Sequence, residues 1–294
     1  RQRQMCIRDR GEKVMVEFVS ANPTGPMHMG NARGGALGDC LAAVLDKAGY
    51  NVWREFYVND AGNQIEKFGC SLEARYLQIF KGDEIEFPED GYQGEDIKDL
   101  AKEYADLNGD SLVNVSAEER KKALVDFALP KNISKMQADM EKYKIFYDKW
   151  FFESELHKSG AVKAVVDLLT KKGLTYEKEG AVWYKNKEVL TQKLLKEGKS
   201  QKYIDNLELK DDVLIRQNGN PTYFTADIAY HKNKFDRGFT TLIDVWGADH
   251  HGHVMRMKGA MDAIGYDGDK LNVVLMQLVK LVKDGELVKM SKRT

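Results

Sequence analysis

The strongest constraint on the fold lies in the opening segment, where apolar residues change period twice. Val14-Met15-Val16-Glu17-Phe18-Val19 is a short β-rich run, and a turn-forming stretch containing Asn22-Pro23 and Gly25-Pro26 follows it. Leu37, Leu41, Val44, Leu45 and Ala48 then recur at helical spacing, and Gly49 is placed to end that helix. Asn51 to Val58 reads as a second strand. Strand, helix and strand in this order predict a βαβ unit with a right-handed crossover. The expected class is α/β, with a Rossmann-like parallel sheet whose ligands bind beyond the carboxyl ends of its strands.

The helix after the first strand should begin close to Gly30. There, unpaired backbone N–H groups and the macrodipole favour a phosphate, and a glycine permits close approach. His28 can add a hydrogen bond to a phosphate chain. Gly34, Gly35, Ala36 and Gly38 keep the first turns small, for close packing on a sheet or a ligand. The second strand ends in Asn59-Asp60, polar residues that are either ligand contacts or a solvated turn.

A second strand-to-helix turn lies near the other end. Leu242-Ile243-Asp244-Val245-Trp246-Gly247 is an apolar run entering Ala248-Asp249-His250-His251-Gly252-His253; Val254, Met257, Met261 and Ile264 follow at helical spacing before Gly265. This turn reads as a ligand-binding element or as a histidine-rich helix cap. A zinc site is not expected, because tetrahedral sites draw ligands from two separated places and no C-x-x-C or distant His pair supplies the rest. Val273 to Val279 is another strand, and Asp284-Gly285 a hairpin turn between Leu281-Val282 and Leu287-Val288. Beyond it, Lys289 and Lys292 flank Met290-Ser291, two cations able to close over a triphosphate.

His28-Met29-Gly30-Asn31 and Lys289-Met290-Ser291-Lys292-Arg293 together resemble the two ATP-handling signatures of class I aminoacyl-tRNA synthetases. Ser20 to Gly34 resembles the arginyl-tRNA synthetases in particular. So do Asn59 to Gln64, Gly91 to Glu95, Asp148 to Phe151 and Thr222 to His231. The resemblance covers about residues 14 to 184 and 211 to 294, with Lys185 to Lys210 matching poorly. It implies an arginine–tRNA ligase that uses ATP, with Mg2+, to convert L-arginine to arginyl-adenylate and pyrophosphate, and transfers the arginyl group to tRNA(Arg). For ATP it implies His28, Gly30, Asn31, Gly247, Asp249, His253, Lys289, Ser291 and Lys292; of these, His28, Lys289 and Lys292 would act on the phosphates as catalytic groups. For arginine it implies Ser20, Asn22, Tyr223, Asp227 and His250. Tyr223 and Asp227 are four apart on one helical face, the carboxylate for the guanidinium charge and the phenol for its orientation. Position 31 is Asn where the family usually has a second His.

The expected organisation is residues 1–10 as a disordered tail or sequence artefact and residues 11–65 as the first half of the catalytic domain. Residues 66–210 form an inserted, largely helical region with some β structure, and residues 211–294 the second half. Within the insertion Ser116-Ala117-Glu118-Glu119 is a capping-box signature, and Ile133, Met136, Met140 and Tyr143 repeat at helical spacing. Glu179-Gly180 and Asn218-Gly219 punctuate β-like runs, the latter with a type I′ signal. Bacterial arginyl enzymes carry a small tRNA-contacting domain before this core and a helical anticodon-reading domain after it. This sequence matches neither, so a catalytic-core fragment is expected.

A net charge of −1 leaves no overall basic field, so contact with RNA would rest on local patches. The three cysteines, Cys6, Cys40 and Cys70, are unpatterned, which fits a reducing compartment. With no membrane-length apolar stretch or signal-peptide core, a cytoplasmic monomer is expected. Three other readings remain open: a class I synthetase for another amino acid, a related nucleotidyl transferase lacking the Tyr223/Asp227 pair, and an ATP-binding fragment without turnover.

Overall fold

The computed structural model describes residues 11–288; the expectation for residues 1–10 lies outside them. The elements run β1 (Lys13–Glu17), α1 (Met29–Lys47), β2 (Asn51–Val58), α2 (Asn63–Lys81), α3 (Glu95–Asn108) and α4 (Ala117–Lys142). Then come β3 (Lys149–Phe152), α5 (Glu153–Lys158), α6 (Ala161–Lys171), β4 (Thr175–Lys178), β5 (Ala181–Tyr184), α7 (Asn186–Lys196) and α8 (Gln201–Asp205). The chain continues through β6 (Asp212–Ile215), α9 (Tyr223–Asp236), β7 (Thr241–Gly247), α10 (His251–Ile264), β8 (Leu271–Met276), β9 (Leu281–Lys283) and β10 (Glu286–Val288).

The main sheet has the order β3-β2-β1-β7-β8. β1 pairs in parallel with β2 on one side, Val14 opposite Val52, and with β7 on the other, Val14 opposite Thr241. β7 pairs in parallel with β8. The chain thus leaves β1 in one direction and returns on its other side, which makes the β1/β7 boundary the switch point where ligands of such sheets bind. The parallel α/β expectation is met. β8 covers Leu271–Met276, beginning and ending before the expected Val273 to Val279, and β1 stops at Glu17, because Val19 and Ser20 turn into positive φ (72° and 45°), a costly conformation for a β-branched residue. Strand β3 was not anticipated. It holds the β2 edge through the Asp148 carboxylate, which accepts from the Arg54 N–H at 2.7 Å, and through Trp150 stacked 4.1 Å from Phe56.

Two compact units divide the chain. Among the described residues, the first holds 11–18, 37–56 and 147–278; its core is built on Met15 and Val16 of β1, Phe18 just beyond it, Phe56, Leu242, Tyr230, Met257 and Met261. Gly38 is packed so closely on the Phe18 ring that a Cβ there would collide with it, so its smallness serves packing. A second sheet, β4-β5-β6, is antiparallel. Its β4/β5 turn, Glu179-Gly180, has φ of 53° and 73°, the type I′ signature. The Asn218-Gly219 signal resolves differently. The Gly219 N–H donates to the Arg216 carbonyl, the Arg216 N–H donates to the Asn220 carbonyl, and Gly219 has a positive φ of 80°, so the loop is a three-residue turn with a glycine bulge.

The second unit holds, among the described residues, 19–36, 57–146 and 279–288, and its core joins α2, α3 and α4 through Phe68, Leu72, Tyr76, Ile97, Leu100 and Leu124. Each such buried side chain contributes about 1.5–3 kcal/mol. Ser116 caps α4 as expected, its Oγ accepting from the Glu119 N–H at 3.2 Å, which is the N-cap half of a capping box. Helix α4 ends at Lys142, one residue short of Tyr143, which is exposed. Arg120 is buried and satisfies the loop before α4 by donating to the carbonyls of Leu112 and Val115, each at 2.7 Å, and to Glu73 at 2.6 Å.

Candidate functional site

In the first unit, Thr222 Oγ1 donates to the Val213 carbonyl and Thr225 Oγ1 to the Leu214 carbonyl, each at 2.7 Å, which anchors the start of α9 on β6. The first turns of α9 carry Tyr223, which is exposed, and Asp227, which is partly buried. Asp227 meets two histidines. Its Oδ2 lies 2.6 Å from His253 Nε2, and its Oδ1 lies 3.1 Å from His231 Nδ1. His253 therefore joins the Asp227 constellation, although it was expected on the adenosine side.

Behind Asp227 runs a row of alternating charges. His231 Nε2 lies 2.7 Å from Asp244 Oδ2; Lys234 donates to Asp244 Oδ1 at 2.8 Å and to Glu17 Oε2 at 2.5 Å. Burial favours the neutral form of Asp227, but the His231 charge and hydrogen bonds from both histidines outweigh it and hold the carboxyl well below its usual range. Burial and the Lys234 ammonium oppose charging of His231; the carboxylates of Asp227 and Asp244 override them, and its pKa is pushed up to about 10. Burial likewise works against Lys234, yet Asp244 and Glu17 keep it charged, above the usual lysine value. Burial pushes Glu17 up despite Lys234, whereas Asp244 is held below its ordinary value by Lys234 and His231 against its own burial. The sequence reading missed His231, Lys234, Asp244 and Glu17. One signal was present: a lone aspartate inside the apolar run Leu242 to Val245.

At the end of β7, the Asp249 carboxylate lies over Gly247 so closely that a Cβ would overlap it, and Asp249 and His250 are both more than half exposed. The Trp246 ring lies 5.4 Å from His253 and 6.3 Å from both His250 and His231, so one indole contacts three histidines.

The remaining candidates among the described residues belong to the second unit. Helix α1 starts at Met29, one residue before Gly30. The Gly30 N–H donates to His28 Nδ1 at 3.2 Å, and the His28 N–H donates to Asn31 Oδ1 at 2.9 Å. This reciprocal pattern is what a capping box provides, so Asn31 works as a cap in the place of a second histidine. With Nδ1 accepting, a neutral His28 carries its proton on Nε2. A Cβ on Gly30 would stand 3.0 Å from the His28 ring, a tight contact. Ser20 Oγ accepts from the Tyr57 N–H at 3.1 Å, and Asn22 Nδ2 donates to Gln64 Oε1 at 2.8 Å. Gln64 Oε1 also accepts from Tyr92 at 2.9 Å, and buried Asn132 donates to the Pro23 carbonyl at 3.0 Å. Gln64, Tyr92 and Asn132 thus brace the loop around Asn22, a role the sequence did not disclose. Asn59 and Asp60 follow β2, and the Asp60 N–H donates to the Val58 carbonyl at 3.0 Å. Lys289, Ser291 and Lys292 lie outside the described residues. Among the described residues, no group of three or more His, Cys, Asp or Glu is arranged to hold a metal ion.

Comparison with known proteins gives a consistent result. The family model for tRNA synthetases class I (R), catalytic domain, matches residues 1–294. The arginine–tRNA ligase of Ruminiclostridium cellulolyticum is 60% identical over 286 residues, 97% of this chain and 48% of that protein. That of Acetivibrio thermocellus is 57% identical over 287 residues, with the same coverage. A Campylobacter jejuni structure assigned as an arginyl-tRNA synthetase superposes with a TM-score of 0.79 at 39% identity, covering 95% of this chain and 57% of that one. The Thermus thermophilus arginyl-tRNA synthetase, with a TM-score of 0.64 at 20% identity over 91% of this chain and 49% of that one, shares the fold. The chain spans about half the length of the curated relatives it matches.

Proposed function

This chain belongs to the class I tRNA synthetase (R) catalytic-domain family, and from that premise we propose that it activates L-arginine with ATP and serves transfer of the product to tRNA(Arg). In this reading residues 11–65 and 211–294 supply the halves of the catalytic fold and residues 66–210 the inserted region. The arginine carboxylate attacks the α-phosphorus of ATP; a carboxylate–phosphorus bond forms, the bond to the β-phosphate bridging oxygen breaks, and pyrophosphate leaves with the electron pair. The nucleophile is already ionised, so catalysis consists of positioning and charge stabilisation. His28 Nε2–H and the N-terminus of α1 suit a phosphate chain, Lys289 and Lys292 the leaving pyrophosphate, and Gly247 and Asp249 the adenosine. Mg2+ travels with the ATP phosphates. Ser20, Asn22, Tyr223, Asp227 and His250 form the arginine set. A monomeric state and residence in the cytoplasm belong to the same proposal; among the described residues no helix is long and apolar enough to cross a membrane.

The observation that carries this reading is the Asp227 carboxyl, held by His253 and His231, one helical turn from exposed Tyr223, since a guanidinium needs a carboxylate acceptor beside an orienting polar group. Asp227→Asn is expected to weaken arginine binding by about 1.5–3 kcal/mol, the scale of a charged hydrogen bond, with ATP affinity nearly unchanged. Calorimetric titration with each ligand, alongside arginine-dependent ATP–pyrophosphate exchange, reads both. Equal loss of the two ligands would move Asp227 to a structural role.

A further inference from the structure

We propose that His231 is a positioning residue for arginine recognition: it clamps Oδ1 of Asp227 and so reserves Oδ2 for the incoming guanidinium. The inference rests on the reading of Asp227 as the arginine acceptor and deepens it.

His231 is fully buried, and both of its ring nitrogens point at oxygen acceptors. Nδ1 is 2.8 Å from the Asp227 backbone carbonyl and 3.1 Å from Asp227 Oδ1; Nε2 is 2.7 Å from Asp244 Oδ2. Either neutral tautomer would set a nitrogen lone pair against oxygen lone pairs, so only the imidazolium, with two N–H donors, satisfies the geometry. The charged groups that face the ring are Asp227 and Lys234 from its own helix and Asp244 from β7, with Glu17 of β1 behind Lys234. Edge contacts from Tyr230 and Trp246 complete its surroundings. The ring therefore has one protonation state and one orientation, and it fixes the Asp227 side chain through Oδ1. Oδ2 is left on the side of His253, whose Nε2 lies 2.6 Å away. A guanidinium taking Oδ2 replaces or shares that donor. It meets the carboxylate through one oxygen rather than through a two-oxygen fork, so the second orienting contact has to come from elsewhere, and Tyr223 is one turn away.

Two measurements on this chain test the assignment. Imidazole 15N spectra, with the His231 signals identified by their loss in His231→Gln, should show both nitrogens protonated at pH 8. A neutral ring there overturns the clamp whatever Asp227 binds. Calorimetry of His231→Gln should show arginine Kd raised by about tenfold with ATP Kd unchanged; a smaller active fraction with the original arginine Kd would mean a structural role and refute positioning. Should that variant fail to fold, Asp244→Asn keeps the ring but removes the carboxylate charge that holds Nε2 protonated. Its arginine affinity should then fall as pH rises from 6 to 9 while the parent stays flat, and flat profiles in both would overturn the proposal. Failure of the underlying reading is separable, because it appears as unchanged arginine affinity in Asp227→Asn.

Discussion

Replacing Lys234 with methionine keeps most of the apolar stem but removes an ammonium lying 2.5 Å from Glu17 Oε2 and 2.8 Å from Asp244 Oδ1, in a fully buried position. Two buried carboxylates then lose their shared cation. The protein limits the damage by protonating one of them, and Glu17 is the one, because burial already pushes its pKa up. Holding that proton at pH 7 against an unfolded pKa of about 4.3 costs about 1.4 kcal/mol per pH unit, or about 3.7 kcal/mol in all. This agrees with the roughly 3–5 kcal/mol found when one partner of a buried pair is removed. The sign follows: the folded variant binds one proton more than its unfolded chain, so its deficit against the parent should shrink to about 1 kcal/mol at pH 5. Urea unfolding followed by tryptophan fluorescence is the assay, because Trp53, Trp150, Trp183 and Trp246 all lie in the first unit and report on it alone. A deficit below about 1 kcal/mol at pH 7, or one that does not change between pH 5 and pH 7, would refute the argument that Lys234 neutralises this row.

The raised His231 pKa of about 10 predicts that its stabilisation is complete below an unfolded value of about 6.5 and is lost as pH climbs through about 10. The fluorescence-monitored urea midpoint should decline across that window, and His231→Gln should flatten the decline. Asn31→Ala removes the acceptor of the His28 N–H and should cost about 1 kcal/mol at the start of α1; amide exchange in that first turn should quicken about fivefold, while unchanged exchange would mean that Asn31 caps nothing.

What was legible in the sequence follows the reach of the interactions involved. β1, α1 and β2 were readable because period and turn residues are local; Gly49 ends α1 through its own φ of 96°. β3 was not, because four residues carry little period and their place depends on Arg54 and Phe56, far away in the chain. The Tyr223/Asp227 pair was visible as a run resembling a known family. Its support was hidden, since nothing near Lys234 in sequence announces that Glu17 faces it 217 positions away. The contact of His253 with Asp227 spans 26 positions and two helices, which is why sequence spacing did not announce it.

The central place of β1 in its sheet has a consequence for how the chain is made. Its neighbour β7 lies about 227 positions downstream, the separation bridged where Thr240 meets Lys13. At about 5–20 residues per second, a ribosome needs on the order of ten to fifty seconds to deliver that partner. Meanwhile β1 and β2 can pair with each other but leave one apolar edge of β1 open, a template for any other strand nearby. The helices α2, α3 and α4, whose contacts are far more local, are synthesised inside that interval and can consolidate first. During translation the nascent sheet is therefore a half-built structure awaiting its other flank, and the seconds before β7 emerges are when a chaperone has the most to protect.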